Sequence, residues 1–311
     1  MSQLMLVTGG AGFIGSHVVR WLIERGQRVR VLDNLSSGRR EMLGPALDSV
    51  ELVVGDLCDE RVVAQAVAET DAIFHLAAMV SVAESVERPQ AAYHTNVIGT
   101  VTLLEAARAA GVRRIVQAST CAVYGNTSQL PAREDSRPDP LSPYAATKLA
   151  AEQAGRLYTQ LYGMQVTALR FFNVYGPRQD PASPYAAAIP RFAEAMRAGR
   201  QPTIFGDGLQ TRDFVYVGDI VQALWAASQA PGAAGEVLNV GRGAECSVVD
   251  LVRTIGELLA IDVDPIFLPA REGEVRRSQA DASRLAELTG FRAATDLRTG
   301  LALTLAGGAA V

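Results

Sequence analysis

A doubly wound α/β fold, with a parallel sheet between two layers of helices, is predicted by three observations. Buried strand patterns alternate with helical patterns over the first 175 residues, as repeated strand–helix–strand crossovers require. The first strand pattern, Leu4-Met5-Leu6-Val7-Thr8, runs through Gly9, Gly12 and Gly15 into a helical pattern. In that order, backbone N–H groups at a helix start can meet a pyrophosphate. Finally, Gly9, Asp33, Asp56, Ala77 and Thr120 all follow strand C-termini, and ligands of such sheets bind at that edge.

The 311 residues carry a net charge of -4 and no basic run. Nucleic acid is therefore not expected as the main partner. Cys58, Cys121 and Cys246 are odd in number and widely spaced. They suggest a reducing compartment, with neither a disulfide framework nor a metal site. No charged leader and no apolar run of membrane-spanning length is found, so a soluble cytoplasmic protein is expected.

In chain order, Gly9 allows the tight turn, Gly12 the approach of a pyrophosphate, and Gly15 close packing of helix on strand. The second strand, Val29-Arg30-Val31-Leu32, ends at Asp33. A carboxylate there bonds both ribose hydroxyls of an adenosine and repels a 2′-phosphate, which favours NAD over NADP. Arg39 and Arg40 nearby weaken that inference. The third strand, Glu51-Leu52-Val53-Val54, leads to Asp56 and Leu57, placed beside the adenine. The fourth, from Ala72, ends in the small residues Ala77 and Ala78, which let backbone lie against a cofactor. His75, inside this apolar run, reads as a packed strand histidine, not as a ligand or base. A long helical pattern spans Pro89 to Ala110, and the buried amide of Asn96 within it needs a partner. The fifth strand, Arg114-Ile115-Val116-Gln117-Ala118, ends at Ser119-Thr120-Cys121.

Ser142-Pro143-Tyr144-Ala145-Ala146-Thr147-Lys148 organises the rest. Ser142 suits a helix cap and Pro143 a first turn. Tyr144 and Lys148, four apart, share one helix face. A lysine ammonium about 4 Å from a phenol contributes about 4 kcal/mol at an effective dielectric of 20. That is about three pKa units, enough to bring the phenol near neutrality. A sixth strand, Val166-Thr167-Ala168-Leu169-Arg170, follows. From about residue 176 the pattern is less regular. Helices are expected at 186–198, 217–229, 248–259 and 282–288, with short strands at 202–205, 214–217, 237–240 and 265–268. Residues 1–175 thus read as a cofactor domain. Residues 176–311 read as a smaller, discontinuous α/β substrate domain, with segments around 213–242 returning to the first. The last five residues read as frayed.

As an ordered set, these residues resemble the extended short-chain dehydrogenase/reductase superfamily, in its branch of NAD-dependent nucleotide-sugar epimerases and dehydratases. The set includes Thr8 to Gly15 with Phe13 and Ile14, Asp33-Asn34, Gly55-Asp56-Leu57, and His75-Leu76-Ala77-Ala78. It continues with Ser119-Thr120, Val123-Tyr124-Gly125, Tyr144 with Lys148, and Arg170-Phe171-Phe172-Asn173. Thr211-Arg212-Asp213-Phe214-Val215 and Arg271-Glu272-Gly273-Glu274-Val275 complete it.

The resemblance implies a Rossmann-type fold, bound NAD, and 4-epimerisation of a UDP-hexose through a transient 4-keto sugar. By it, Tyr144 takes the sugar 4-hydroxyl proton, Lys148 lowers the Tyr144 pKa and holds the nicotinamide ribose, and Thr120 hydrogen-bonds the 4-oxygen. Gly9, Gly12, Phe13, Ile14, Gly15, Asp33, Asn34, Asp56, Leu57, Leu76, Ala77, Ala78, Asn96 and Phe171 are implied around the cofactor. Ser81, Asn173, Phe205, Arg212, Arg271, Glu274 and Ser278 are implied around the nucleotide sugar. Ser278 is small where relatives restricted to glucose and galactose tend to carry Tyr, so UDP-GlcNAc and UDP-GalNAc are expected as substrates too. Dehydratases of the branch usually place Asp-Glu after the Thr, and here Cys121-Ala122 stand there. Relatives pair through the helices that carry Asn96 and Tyr144, so a homodimer is expected. The alternatives are a UDP-glucuronate 4-epimerase or decarboxylase, a net oxidoreductase of the same fold, and an NAD-sensing binding protein. The last typically lacks the Tyr or the Lys.

Overall fold

The computed structural model describes residues 2–180, 188–270 and 275–307. Seven strands form one sheet in the order Val237–Val240, Gln165–Phe171, Arg114–Thr120, Ala72–His75, Leu4–Thr8, Arg28–Asp33, Val50–Val54, every neighbouring pair parallel. The chain enters at Leu4–Thr8 and winds outward in both directions. The crevice between Leu4–Thr8 and Ala72–His75 is therefore the switch point where such sheets bind ligands. Successive side chains of a strand face opposite sides. Met5 and Val7 accordingly join a core with Val19, Leu22, Val221 and Leu224, from the helices Phe13–Glu24 and Val217–Gln229. Leu6 joins a second core with Val63, Leu103 and Leu104, from Glu60–Val67 and Gly99–Ala109. This is the expected α/β architecture of the Rossmann type.

The long helix departs from expectation. Its pattern is broken into Pro89–Tyr93, a π turn His94–Ile98, and Gly99–Ala109. A π turn inserts one residue into the helical register. A Cβ on Gly99 would lie 2.9 Å from Leu57 Cβ, so this helix runs hard against the loop after the third strand. Cys58 Sγ donates to His94 O at 3.3 Å. The extra residue turns Asn96 toward Met79, as described below.

The helix of the Tyr144 motif spans Pro143–Tyr162. Ser142 Oγ accepts from Ala145 N at 3.2 Å, and Gly163 ends the helix in the left-handed region at φ 66. The strand after it runs on into Asn173–Tyr175, which pairs with Thr211–Tyr216, itself paired with Glu245–Ser247. Thr203–Phe205 and Ile266–Leu268 form a separate two-stranded sheet. These strands share a third core of Phe192, Ile204, Phe214, Leu251 and Leu301. The helices Val217–Gln229 and Val248–Leu259 have the expected bounds. The helix Leu297–Gly307 was not expected. Among the described residues no helix is long and apolar enough to cross a membrane.

Candidate active site

The glycine turn is a cradle that side chains would fill. Gly9 sits at φ +69, and a Cβ there would lie 2.7 Å from Ala77 N. A Cβ on Gly15 would lie 2.1 Å from Gly9 O and 2.7 Å from Gly10 Cα, so the close contact Gly15 permits is with the turn and not, as expected, with the strand. Gly12, the N-cap of Phe13–Glu24, differs. A Cβ there would meet only Gly9 O, at 3.2 Å, and no side chain caps the helix. Its first-turn N–H groups, including those of Phe13 and Ile14, thus face an open side and favour an anion.

Sequence reasoning missed Arg178. It adopts φ 67, and its Nη2 donates to Ser16 Oγ at 3.5 Å, against the first turn of that helix. Its buried Nε has no hydrogen-bond partner, and burial together with the Arg20 charge pulls the guanidinium down to about 10. The nearest signal was Gly176-Pro177-Arg178 following the sixth strand, which carries no periodicity. His17 Nε2 lies 3.0 Å from Pro177 O, and burial and Arg178 lower the imidazole to about 4.

Asp33 closes the other end of the crevice. Its Oδ2 accepts from Ala11 N and its Oδ1 from Leu35 N, both at 2.9 Å. Each oxygen keeps a further lone pair for a ribose hydroxyl. Asn34 Nδ2 donates to Asp56 Oδ2 at 2.8 Å, and Cys58 N to Asp56 Oδ1 at 2.9 Å. The Cys58 N–H, then the Asn34 amide, hold the Asp56 carboxyl below its ordinary range, against the opposing effect of burial. Asp56 does not cap the next helix, because Asp59 does. The Leu57 side chain lies in the core, leaving its backbone to the crevice. Leu76 N and Ala77 N both donate to Thr8 Oγ1 at 3.2 Å, which fixes the backbone leading into Ala78. A cradle that a Cβ would fill, free helix N–H groups, an orphaned buried guanidinium nitrogen and a strand-end carboxylate together fit a dinucleotide.

His75 is the packed residue expected. Its Nδ1 lies 2.8 Å from Thr8 Oγ1 and its Nε2 3.0 Å from Thr100 Oγ1. Thr100 donates onward to Asn96 O at 2.7 Å. Burial and the Lys148 charge lower the His75 ring to about 3, so it stays neutral. Asn96 accepts from Met79 N at 2.8 Å and donates to Met79 O and to Thr147 Oγ1, each at 3.0 Å. Its amide thus ties the loop after the fourth strand to the Tyr144 helix.

Thr120 and Tyr144 are neighbours, and the Thr120 side chain pulls the phenol downward. Thr120 Oγ1 also accepts from Ala122 N at 3.1 Å. Phe171 is the strand partner of Thr120. Lys148 is 5 % exposed, and it is the only lysine of the sequence, where every other basic residue among the 29 Lys and Arg is arginine. The expected lowering of the phenol is not what this arrangement produces. Burial pushes Tyr144 up to about 12, outweighing the pull of the Thr120 side chain. The Lys148 charge bears on His75 instead, and burial pulls Lys148 itself down to about 8 against the pull of Glu152.

The substrate side is partly assembled. The Ser278 side chain and the Arg212 charge both act on the Cys121 thiol, pulling it downward. Cys121 neighbours Tyr144, so Ser278 and Arg212 stand at the mouth of the catalytic group. Burial pushes the Cys121 thiol up to about 11. Asn173 begins its strand with a buried Oδ1 that has no partner. Phe205 ends Thr203–Phe205 and pairs with Leu268. Ser81 caps the helix Val82–Glu87 by accepting from Glu84 N at 3.0 Å, a structural task not anticipated. Asp213 of the same motif is an anchor: its carboxylate accepts from Arg242 N, Gly243 N and Ala280 N at 2.9, 2.8 and 3.1 Å. Arg271 and Glu274 lie outside the described residues. Among the described residues no group of three or more His, Cys, Asp or Glu could hold a metal.

The profile of the NAD dependent epimerase/dehydratase family matches residues 5–241. A UDP-glucose 4-epimerase of Mycolicibacterium smegmatis is 43% identical over 304 residues, 96% of each chain. Among solved structures, UDP-glucose 4-epimerase of Thermotoga maritima with UDP-glucose has a TM-score of 0.93 at 39% identity, covering 98% of each chain. UDP-N-acetylglucosamine 4-epimerase of Methanobrevibacter ruminantium, in complex with UDP-N-acetylmuramic acid, has a TM-score of 0.94 at 36% identity, again covering 98% of each chain.

Proposed function

Since the chain belongs to the NAD dependent epimerase/dehydratase family, we propose that it epimerises UDP-hexoses at C4 through a transient 4-keto sugar. UDP-glucose and UDP-galactose are the central pair, with UDP-GlcNAc and UDP-GalNAc also accepted. The observation that carries this reading is the meeting of Thr120 and Tyr144, with Lys148 one helical turn on, at the sheet edge that also holds the glycine cradle. Bound NAD supplies reversible oxidation at the sugar carbon. The chain's own residues do the rest. Gly9 to Gly15 and Arg178 seat the pyrophosphate, and Asp33 takes the adenosine ribose. The Thr120 hydroxyl donates to the sugar 4-oxygen, and Tyr144, which must first be a phenolate to act as a base, takes the 4-hydroxyl proton on Oη and later returns it. Lys148 supplies the local positive charge. Arg212, with Arg271, binds the diphosphate, for which a guanidinium fork is suited. Asn173, Phe205, Ser81, Glu274 and Ser278 complete the nucleotide-sugar side. Residues 1–175 carry most of the cofactor, with Arg178 added from the segment that follows, and 176–311 most of the substrate.

Two observations narrow the chemistry. No carboxylate follows Thr120, and the Cys121 thiol there is held neutral by burial, which disfavours elimination of water across C5 and C6. Ser278, beside Cys121, is small where a Tyr ring would occupy volume that an acetamido group needs. We also propose a cytoplasmic homodimer. The helices flanking Asn96 and following Tyr144 expose Tyr93, Ile98, Leu157, Leu161 and Tyr162, an apolar face suited to a second copy of the chain.

The test is a panel of UDP-glucose, UDP-galactose, their N-acetylated forms and UDP-glucuronate, followed by NMR for the 4-epimer. Tyr144→Phe should keep bound NAD and lose the 10²–10⁴-fold typical of an acid–base group. Ser278→Tyr should abolish turnover of the acetylated pair and spare the plain pair. Turnover of UDP-glucuronate alone, or near-normal turnover by Tyr144→Phe, would overturn the reading.

A further inference from the structure

Behind Lys148 lies a buried ion pair that the proposed reaction does not use. Glu152 follows Lys148 by one turn, so Tyr144, Lys148 and Glu152 form one stripe of their helix. Its side chain is 1% exposed and that of Arg170 4%. Arg170 grips the carboxylate with two bonds, Nε to Oε1 at 2.9 Å and Nη2 to Oε2 at 2.8 Å. Ser119 Oγ donates a third bond to Oε1 at 2.5 Å. Ser119 directly precedes Thr120 and is the strand partner of Arg170, as Thr120 is of Phe171. The Arg170 guanidinium lies 4.8 Å over the Tyr124 ring, and Tyr124 Oη donates to Asn239 Oδ1 at 2.6 Å. The carboxylate of the pair is thus held by three bonds, and what remains is the charge balance it leaves.

That balance is the informative part. Facing Lys148 are the neutral His75 ring from the neighbouring strand and Glu152 from its own helix. The neutral Tyr144 phenol stands one turn earlier. The nearby ions are therefore two cations, Lys148 and Arg170, sharing one anion, Glu152. An arginine does not give up its proton in a protein, whereas a buried lysine does. We propose that Glu152 and Arg170 form a positioning unit of this active site: the carboxylate ties the Tyr144–Lys148 helix to the strands ending at Thr120 and Phe171, and its charge keeps Lys148 an ammonium despite burial. The inference rests on the reading that Lys148 serves Tyr144 in an NAD-dependent reaction.

Because Lys148 is the only lysine, protein grown with lysine labelled by ¹³C at Cε shows a single titrating Cε signal. Glu152→Gln leaves two cations without an anion, and the lysine titration should move down by about one to two pH units. Arg170→Gln leaves Glu152 to Lys148 alone, and the titration should move up by about one unit. Lost packing would not produce shifts of opposite sign. The alkaline limb of kcat against pH should follow each shift. Two shifts of the same sign, or none, overturn the proposal. Should either charge variant fail to fold, Ser119→Ala decides. It removes only the third bond, so kcat should fall about tenfold while KM and the lysine titration hold, and an unchanged kcat overturns the positioning role. The titration needs no substrate. A protein that turned over none of the UDP-hexoses would sink the activity reading and leave this test standing.

Discussion

The three glycines of the first turn separate what the fold needs from what the cofactor needs. In Gly15→Ala the new Cβ lies 2.1 Å from Gly9 O, 2.7 Å from Gly10 Cα and 2.8 Å from Gly9 C. A carbon and a carbonyl oxygen touch at about 3.3 Å, so the overlap exceeds about 1 Å and falls on backbone, which cannot swing aside. Alanine gains about 1 kcal/mol of helix propensity over glycine, while overpacking of this kind costs about 1–3 kcal/mol or more. We expect a net loss of about 1–2 kcal/mol and a fall in Tm of about 1.5–3 °C in a chain of this size. NAD binding should weaken as well, because the turn is displaced. In Gly12→Ala the Cβ meets only Gly9 O, at 3.2 Å, and φ is −85. Stability should change by less than about 1 kcal/mol. The methyl group, however, projects into the open side in front of the helix N–H groups, so NAD affinity should fall about tenfold or more. Calorimetric melting and isothermal titration with NAD on both variants separate the two effects. If Gly12→Ala melted as early as Gly15→Ala yet bound NAD like the wild type, the cradle geometry would be the wrong account of this turn.

Further outcomes are open to measurement. Thr120→Ala should lose most activity in steady-state assays, because the donor paired with Tyr144 disappears, whereas Cys121→Ala should be mild; the reverse ranking would place the 4-oxygen at the thiol. Asp33→Ala should weaken NAD and narrow its preference over NADP in titrations of both cofactors, and unchanged affinities would put Asp33 away from the ribose. His75 stays neutral in the fold, where burial lowers its pKa to about 3, while the unfolded chain protonates near the ordinary histidine value of about 6.5, so stability is lost as pH falls below that value. The loss attributable to His75 between pH 7 and pH 5 is about 2 kcal/mol, and denaturant melts should show it reduced in His75→Gln.

What was legible in the sequence is what repeats or what stands at a strand end. The short buried runs around Leu4, Val29, Ile73 and Ile115 are strands in the positions observed, and the residues after them, Asp33, Ala77 and Thr120, stand on one sheet edge. Ser142 capping Ala145 N was legible too, because a cap is a local device. The π turn at His94–Ile98 was not, because one inserted residue has no local signature. It is set by the distant contacts of Gly99 with Leu57 and of Asn96 with Met79. The helix Leu297–Gly307 was hidden by Gly300, which reads as a breaker but lies where a Cβ would come 2.1 Å from Tyr175 Oη. Arg178, in a turn, and the Glu152–Arg170 pair, in a helix and a strand, escaped because isolated charges announce nothing until the fold brings them against their partners. The phenol was misjudged in the other direction. Spacing placed Lys148 near Tyr144, but spacing carries no burial, and burial dominates both groups.

The choice of a lysine at position 148 ties these points together. Elsewhere this chain meets its need for positive charge with arginine, even where the group is buried, as at Arg170. A guanidinium is planar, broad and permanently charged, which suits the fork that holds Glu152. It would not suit the next turn of the same helix, where the cation stands against the His75 ring and has to reach the phenol side of the cleft. A compact ammonium fits there, and its charge can respond to the anion beside it. The cost is that burial pulls the ammonium toward deprotonation, to about 8, and this cost gives Glu152 a task beyond holding the strands. An arginine at 148 would need no such anion but would lose the fit, so the lysine and the buried carboxylate are best understood as one requirement of the site.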